Sequence, residues 1–345
     1  MAKEKKFKVT VGSDPEVFLS DAEGNPISAA GLIGASKGKP MKLSPVPLND
    51  MRLNRSVTGR AFVETVLDMT GFLYAQDKLE KRQIGGVIED NVMLELNPAP
   101  ATTSYEFLLN HMQVMESIQA TILDPRKLRF AENLSSVKMP ASQLHHKNAR
   151  EFGCMPDNCV YLGGQRPPAD AAQFGNMRVA GGHVHIGYDM KNSQLAPEDV
   201  TVLCDILMGL WSVGEDADTF RRTNYGQAGC FRVTAYGIEY RTLSNFWLWR
   251  MSHTVHIAEM GLLVGSLASG QLADAGRVMD FINATPLMLI KEAIDTGNKK
   301  LADSCIGQVG AAMMKTGMSK VSARLTRFNR AVYFGGAAEK LKMVA

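Results

Sequence analysis

Four segments of the chain alternate apolar side chains with acids, histidines or arginines, and each sends its polar groups to a single face. A repeat of two residues is that of a β-strand, because successive side chains leave a strand on opposite sides. The segments carry, in chain order, Asp14 and Glu16, Glu95 and Asn97, His183 and His185, and Glu239 and Arg241. We interpret them as strands and predict that their polar faces share one site.

The alternation has a simpler interpretation, since charged residues at every second position of a strand usually mark a solvated face. The histidine segment favours a site instead. His183 and His185 are flanked by Gly181, Gly182 and Gly187, and glycine in a strand often marks the close approach of a ligand or of another backbone. A ligand beside these histidines is therefore expected.

Such a group of side chains needs a counter-ion. Carboxylates and imidazoles at close quarters repel one another or shift their pKa values unless cations lie among them. Oxygen-rich ligation with one or two nitrogens suits magnesium, or manganese, better than zinc. A magnesium site implies a phosphate substrate. Arg241 beside Glu239, with Arg221 and Arg222 upstream, supplies the bidentate donors used in polyphosphate recognition.

No standard nucleotide loop accompanies these residues. The segment 34–40, Gly-Ala-Ser-Lys-Gly-Lys-Pro, looks like a phosphate loop, but Ile33 precedes it and Pro40 follows Lys39, so the P-loop spacing fails. No Gly-x-Gly-x-x-Gly sequence opens a helix after a strand either. If ATP binds, its phosphates are expected to be held by metals and side chains on a sheet.

The rest of the chain mixes strands and helices. Thr103 and Glu106 form a capping box for an amphipathic helix, and Pro197 opens a second helix. After about Trp247 the composition and spacing are mainly helical. The other expected elements are strands over 7–11, 17–19, 92–97, 179–188 and 231–243, and a hairpin turn over 21–26.

Composition excludes several classes of protein. The 345 residues are 45% hydrophobic, enough for one large core or two modest ones. A formal charge of +3 argues against nucleic acid as the partner. No export signal or membrane-length apolar run is seen, so a cytoplasmic protein is expected. The five cysteines lack zinc-finger spacing and are expected to be reduced and mostly buried.

Several motifs, in order from about residue 10 to residue 250, resemble the phage-encoded amidoligases of the carboxylate-amine ligase superfamily. More distantly, they resemble glutamine synthetase and glutamate-cysteine ligase. The motifs are Gly12-Ser-Asp-Pro-Glu16-Val-Phe-Leu19, Glu89-Asp-Asn-Val-Met-Leu-Glu95-Leu-Asn97-Pro-Ala-Pro100, Phe152-Gly-Cys-Met-Pro-Asp157, Ala180-Gly-Gly-His183-Val-His185-Ile-Gly-Tyr188 and Tyr236-Gly-Ile-Glu239-Tyr-Arg241-Thr-Leu-Ser-Asn-Phe-Trp247.

The resemblance implies an α+β fold with an antiparallel, partly closed sheet of the glutamine synthetase type and helices packed outside it. It also implies a catalytic core over residues 1–250, followed by a mainly helical part over 251–345. The stretch 43–87 is longer than expected for the family and is interpreted as an insertion.

The same resemblance implies roles for individual residues. The magnesium ligands are expected to be Glu16, Glu95, Glu239 and His183, with Asp14 as a further ligand. His185 is expected to contact the nucleotide and Arg241 the transferring phosphate, so that Glu239 and Arg241 form the catalytic pair. Nucleotide or acyl-phosphate contacts are expected from Arg221, Arg222, Tyr225 and Lys37.

The implied reaction is attack of a carboxylate on the γ-phosphorus of ATP, followed by displacement of phosphate by an amine or ammonia. It needs no protein nucleophile, in keeping with the lack of a Gly-x-Ser-x-Gly elbow. The acid is expected to be a small molecule or part of a peptide. An amidotransferase partner that delivers ammonia and a homo-oligomeric state stay open, and no membrane partner is expected.

Two other functions are compatible with these residues. A metal-dependent hydrolase could use His-x-His with carboxylates, although it would not need the arginines and would favour an open zinc position. A catalytically silent phage protein with a binding or structural role is the second alternative. The presence of every expected ligand type argues against it.

Overall fold

A computed structural model of the chain describes residues 7–46, 84–150, 157–166, 174–318 and 321. Most of the predicted insertion, the greater part of the motif 152–157 and the end of the chain lie outside these ranges. Within them, no helix is long and apolar enough to cross a membrane.

The described strands are short and pair antiparallel throughout. In chain order they are β1 Thr10–Ser13, β2 Glu16–Val17, β3 Leu19–Ser20, β4 Pro26–Ile27, β5 Met41–Lys42, β6 Gly85–Asp90, β7 Met93–Pro98, β8 Arg129–Phe130, β9 Ser136–Lys138, β10 Asn158–Cys159, β11 Gly164–Gln165, β12 Met177–Val179, β13 Val184–Gly187, β14 Cys230–Thr234 and β15 Gly237–Tyr240.

The described helices follow one another closely towards the end of the chain, from residue 251 onward. In chain order they are α1 Ser104–Ile118, α2 Lys147–Arg150, α3 Pro197–Cys204, α4 Leu210–Glu215, α5 Phe220–Asn224, α6 Met251–Ala268, α7 Ala275–Ala284, α8 Leu287–Thr296 and α9 Lys299–Lys315. Wider π-turns extend α1 and join α3 to α4, and 3-10 turns join several of the other elements.

Among the described residues the strands form four sheets, of which two build the site. The six-stranded sheet has the order β1-β13-β15-β14-β10-β11, and the four-stranded sheet has the order β2-β7-β6-β5. Helix α6 packs against β1, β13 and α1, so it covers the apolar face of the six-stranded sheet. The opposite face of that sheet carries the charged residues.

The chain passes from one sheet to the other at Asp14 and Pro15. Proline has no backbone N–H to give to a ladder, so pairing with β13 stops at Ser13. Two residues later, Glu16 pairs with Glu95 of β7, and its N–H donates to the carbonyl of Gly181 at 2.8 Å. This step sends Asp14 and Glu16 to different sheets.

Two glycines interrupt the predicted strand 179–188. A Cβ atom on Gly181 would lie 2.4 Å from His183 Nε2, and one on Gly182 would lie 2.2 Å from the carbonyl oxygen of Ser244. The segment therefore divides into β12, which pairs with β9, and β13 of the six-stranded sheet. His183 lies between them, immediately before β13.

Most of the local predictions are confirmed. Thr103 caps α1 by accepting the N–H of Glu106 at 3.1 Å, and Pro197 is the first residue of α3. The hairpin at 21–26 joins β3 to β4. The α+β class with antiparallel sheets is confirmed. The predicted partial closure of the sheet is not seen among the described strands, which divide into separate open sheets.

Candidate functional site

Strand register lines up the charged side chains on the six-stranded sheet. His185 lies opposite Gly12 on one side and Glu239 on the other, and Glu239 lies opposite Arg232 of β14. Directly opposed residues of an antiparallel pair point to the same face. These residues therefore form one row across the sheet.

A second row runs beside the first. The last paired residues of these strands are Ser13, Val184, Tyr240 and Phe231. One residue further along the same register, Asp14 and Arg241 lie on either side of His183, and Cys230 lies next to Arg241. The two rows put Asp14, His183 and Glu239 together, with candidate ligand atoms within 4.8 Å of one another. We name these three residues the histidine cluster.

The histidine cluster is compact and largely buried. His183 Nδ1 lies 3.2 Å from Asp14 Oδ1 and 3.5 Å from Glu239 Oε1. His185 Nε2 also lies 3.2 Å from Asp14 Oδ1. Burial alone would raise the pKa of Asp14, but the facing His185 and His183 imidazoles outweigh it and hold that pKa well below its usual range.

Glu239 is likewise held in its charged form. Burial opposes ionisation, but His183 and Arg241 outweigh it and lower the pKa of Glu239. An Arg241 terminal nitrogen contacts the Glu239 carboxylate directly and lies 3.3 Å from His183 Nδ1. The acids of the histidine cluster thus have cationic neighbours within the chain.

A second group of acids lies on the four-stranded sheet. Glu16 and Glu95 are register partners, and Asp90 ends the neighbouring strand β6. Their candidate ligand atoms also lie within 4.8 Å of one another. We name these three residues the carboxylate cluster. Its nearby cation is Lys37, whose Nζ lies 3.9 Å from Asp90 and 3.8 Å from Glu95.

Burial and charge repulsion together disfavour ionisation in the carboxylate cluster. Burial and the Glu16 charge raise the pKa of Asp90 to about 7, against the opposing effect of Lys37. Burial and the Asp14 charge raise the pKa of Glu95 to about 8. Without a cation this group therefore retains protons near neutral pH, whereas a divalent cation would replace them.

The two clusters adjoin each other. Asp14 and Glu16 are separated by Pro15 alone, and the Asp14 charge contributes to the raised pKa of Glu95. The N–H of Gly181, just before His183, donates to Glu16 Oε2 at 2.6 Å. The structure thus brings together Asp14, Glu16, Glu95, His183 and Glu239, the residues predicted as metal ligands.

The Arg241 guanidinium is held by contacts at both of its ends. Its Nε lies 2.8 Å from Asp157 Oδ1, and the other end of the guanidinium reaches Glu239 and His183. Arg232 Nε lies 3.1 Å from the same Asp157 oxygen. Asp157 therefore holds two guanidiniums at the edge of the histidine cluster.

Arg221 and Arg222, predicted to contact the nucleotide or the acyl phosphate, are both bound within the chain. Arg221 is fully buried and donates to the carbonyls of Thr242 at 2.6 Å and Arg241 at 3.0 Å. Arg222 is also buried, donates to the carbonyl of Ser212 at 2.9 Å and lies 3.4 Å from Asp216. Both guanidiniums bind the chain itself, and Arg221 supports the backbone that carries Arg241.

The other predicted nucleotide contacts are His185, Tyr225 and Lys37. His185 Nδ1 is hydrogen-bonded to the hydroxyl of Tyr236, whose ring stacks on it at 5.9 Å between centroids. The Tyr225 ring lies 5.6 Å from the Arg221 guanidinium. Lys37 reaches the carboxylate cluster, as described above.

The glycine- and lysine-rich segment 34–40 is not organised as a phosphate loop. The backbone N–H groups of Gly31, Ile33 and Gly34 donate to the carboxylate of Glu89. These N–H groups, which could otherwise bind a phosphate, are thus bound to a carboxylate of the chain. This agrees with the failure of the P-loop spacing.

A groove leads away from the carboxylate cluster along β6 and β7. Its volume is about 620 Å³, and Glu95, Lys37, Lys42 and Asn97 are among its lining residues. The glycines of β6, Ile88, Pro40 and residues 98–100 also line it. It is large enough for a small organic substrate.

Sequence reasoning assigned no role to Asp90, Asp157 and Arg232. The first two stand in recognised motifs, but Asp90 begins the β6–β7 turn, where Asp-Asn is ordinary turn chemistry. Asp157 ends a motif that lacks strand alternation. Arg232 shares the alternation of β14, so its register with Glu239 was the available signal.

Residues 169–316, a little under half of the chain, match the family described as phage phiEco32-like COOH.NH2 ligase, type 2. This confirms the resemblance to the amidoligase superfamily and supports a carboxylate-amine ligase. The matched range contains His183, Glu239 and Arg241 but neither Asp14 nor the carboxylate cluster. No curated protein matches the sequence.

Solved structures similar to the chain include a novel glutamine synthase homologue, with 11% identity and a TM-score of 0.34 over 94% of this chain and 71% of that one. An ADP complex of GmaS has 14% identity and a TM-score of 0.32 over 97% and 74% of the two chains. GmaS without ligand has 14% identity and a TM-score of 0.32 over 93% and 70%. TM-scores of this size lie below the range that marks a shared fold.

Proposed function

We propose that this protein is an ATP-dependent carboxylate-amine ligase that activates a carboxylic acid as an acyl phosphate and transfers the acyl group to an amine or ammonia. The observation that carries the proposal is the pair of adjoining acidic clusters, with Arg241 at their edge. Two adjoining groups of acids, one of them in contact with a guanidinium, suit a polyphosphate held by divalent cations.

The donor atoms fit magnesium or manganese. The carboxylate cluster offers oxygen ligands only, and the histidine cluster adds one imidazole nitrogen, a combination that these hard cations accept. Burial and neighbouring acids raise the pKa values of Asp90 and Glu95. The same concentration of buried negative charge would favour binding of a cation. Bound magnesium would offset the phosphate charge and orient the reacting oxygens.

Arg241 is the residue proposed to contact the transferring phosphoryl group. A guanidinium can address two phosphate oxygens at once and act where charge develops in the transition state. Asp157 lies against Nε of the group, and a terminal nitrogen lies against the histidine cluster. We propose Glu239 as its neighbour in catalysis and as a metal ligand.

The remaining predicted residues receive less direct roles. We propose that His185 contacts the nucleotide, since it lies in the first row of the sheet, next to the row of His183, and is partly exposed. Arg221 holds the backbone of Arg241 and Thr242, whereas Arg222 binds the carbonyl of Ser212. Tyr225 contributes through its contact with the Arg221 guanidinium.

The groove beside Glu95 is proposed to hold the acid that is activated. Its position places a bound carboxylate next to the carboxylate cluster, and Lys37 and Lys42 offset negative charge there. Asn97, whose amide lies 3.3 Å from Glu95 Oε1, offers a neutral hydrogen-bond donor. No covalent intermediate with the chain is needed, because ATP supplies the leaving group.

A screen of carboxylic acids with ATP, magnesium and hydroxylamine tests the proposal. Hydroxylamine traps an activated acyl group without knowledge of the natural amine, so the expected result is hydroxamate and ADP in equal amounts. Release of product with metal but without nucleotide would indicate a hydrolase instead. Binding of ATP without any turnover across a broad set of acids would contradict the ligase.

A further inference from the structure

Two buried cysteines face each other at the edge of the six-stranded sheet. Cys159 of β10 and Cys230 of β14 are direct register partners, and both are free thiols. Cys159 Sγ donates to the carbonyl of Ala228 at 3.7 Å. The pair lies outside both acidic clusters, and the proposed reaction makes no use of it.

The backbone pattern favours a bond between these two residues. The N–H of Val160 donates to the carbonyl of Gly229 at 3.0 Å. Since narrow and wide pairs alternate along an antiparallel ladder, Cys159 and Cys230 occupy the neighbouring non-hydrogen-bonded position. Cα atoms at such a position are roughly 4.5 Å apart, which lies within the range that a disulfide spans.

The surroundings also favour reaction at this pair over the other described cysteines. A hydrogen bond from Cys230, opposed by burial and assisted by Arg166, lowers the pKa of Cys159 to about 6. Arg166 Nη1 lies 3.8 Å from Cys230 Sγ. The hydrogen bond to Cys159 and burial raise the pKa of Cys230, and burial raises the pKa of Cys204 and of Cys305, so Cys159 is the most nucleophilic of these thiols near neutral pH and acts as the attacking group.

We propose that Cys159 and Cys230 form a reversible disulfide and constitute a redox modification site that small-molecule disulfides oxidise. The Cys159 thiolate attacks one sulfur of glutathione disulfide and releases one glutathione thiolate. Cys230, after losing its proton, attacks Cys159 in this mixed disulfide and releases the second glutathione. Two cysteine thiols are thereby oxidised, and one glutathione disulfide is reduced to two thiols.

The bond would join strands that hold the candidate active site. Cys230 lies opposite Arg241, whose N–H donates to the Cys230 carbonyl at 2.9 Å. Cys159 is two residues after Asp157, which holds the Arg241 side chain. Oxidation would therefore cross-link β10, which follows Asp157 directly, to β14. It would also close a chain loop of about 70 residues, which stabilises the fold.

The test uses the full chain with and without oxidation by glutathione disulfide. Free thiols are alkylated, and disulfide-linked peptides are identified by mass spectrometry. The expected product joins Cys159 to Cys230 and is reversed by dithiothreitol. We expect oxidation to raise Tm by about 3 °C or more. This outcome does not depend on the ligase activity.

Matched variants separate this site from the other thiols. Cys230→Ser should abolish the cross-link and leave Cys159 as a mixed disulfide with glutathione, whereas Cys204→Ser and Cys305→Ser should oxidise as the unmodified chain does. Full alkylation of Cys159 and Cys230 after oxidation of the folded protein would overturn the proposal. So would a bond from Cys159 to Cys154 in place of Cys230.

Discussion

The two acidic clusters differ in how their charge is compensated. In the histidine cluster, two imidazoles and Arg241 lower the pKa values of Asp14 and Glu239. In the carboxylate cluster, the Lys37 ammonium lies no closer than 3.8 Å, and burial and neighbouring acids raise the pKa values of Asp90 and Glu95. One cluster is balanced by the chain, and the other requires an added cation.

Because of this difference, the effect of a bound cation on stability and its effect on turnover should be separable in this protein. Cation binding at the carboxylate cluster should relieve strain in the folded protein, because it replaces protons or unpaired charges. At the histidine cluster, a cation would compete with Arg241 for Glu239. We therefore expect the carboxylate cluster to account for most of the stabilisation by magnesium, whereas both clusters contribute to turnover.

The largest expected effect is loss of turnover when either cluster loses an acid. Glu95→Gln and Glu239→Gln should each lower ATP turnover at least ~100-fold, because each removes a ligand beside the transferring phosphate. Steady-state ADP release measures this loss. Near-normal turnover in both variants would contradict the assignment of metal ligands.

Stability should distinguish the same two variants. Without metal, Glu239→Gln should lower Tm, because Arg241 is buried and loses a charged partner. Glu95→Gln should leave Tm unchanged or raise it, because it removes a repelled charge. A fall in Tm of equal size in both would show that the clusters are not electrostatically different.

Arg241→Lys tests the guanidinium that touches the histidine cluster. The charge is kept, but a lysine cannot address two oxygens in one plane, so we expect turnover to fall roughly 30-fold with little change in ATP affinity. Single-turnover ADP formation and calorimetric ATP titration measure the two quantities. An unchanged single-turnover rate would mean that Arg241 makes only an ion pair with Glu239 and Asp157.

The two histidines should fail in different ways. His183→Ala should raise the magnesium requirement roughly tenfold, because it removes the nitrogen of the histidine cluster. His185→Ala should mainly raise the apparent ATP constant. Titrating metal and ATP separately against each variant measures this split, and identical profiles would argue against it.

The smallest expected effect is a pH dependence confined to the metal-free protein. The pKa values of Asp90 and Glu95 rise on folding, to about 7 and about 8, so the folded chain binds more protons than the unfolded chain above about pH 4. Stability from this source is lost as pH rises through these values. Between about pH 5 and about pH 9 we expect Tm to fall by roughly 3–6 °C from this source.

Added magnesium should flatten this slope, and Glu95→Gln should flatten it without metal. Glu239→Gln serves as the matched control. The pKa of Glu239 is lowered on folding, so its contribution to stability is present above its unfolded pKa and is lost only in acid. A metal-free Tm that does not fall over this range would contradict the electrostatic description of the carboxylate cluster.

The sequence alone determined which side chains share a face. Alternation is a local property of a strand, so the pairing of Glu239 with Arg241 and of His183 with His185 needed no knowledge of the fold. The capping box at Thr103 and the proline that opens α3 were equally local. For the same reason, the failure of the phosphate-loop spacing at 34–40 was readable in advance.

Tertiary structure decided how those faces are divided. Pro15 ends the pairing of β1 and sends Asp14 and Glu16 to different sheets, so one predicted group of ligands became two clusters. Asp90 belongs to the carboxylate cluster because its strand, β6, pairs with the strand of Glu95. The Arg221 side chain is buried and donates to the carbonyl of Arg241. These relations depend on cross-strand neighbours that are distant in sequence. Local periodicity records which face a side chain takes, but not which strand lies next to it.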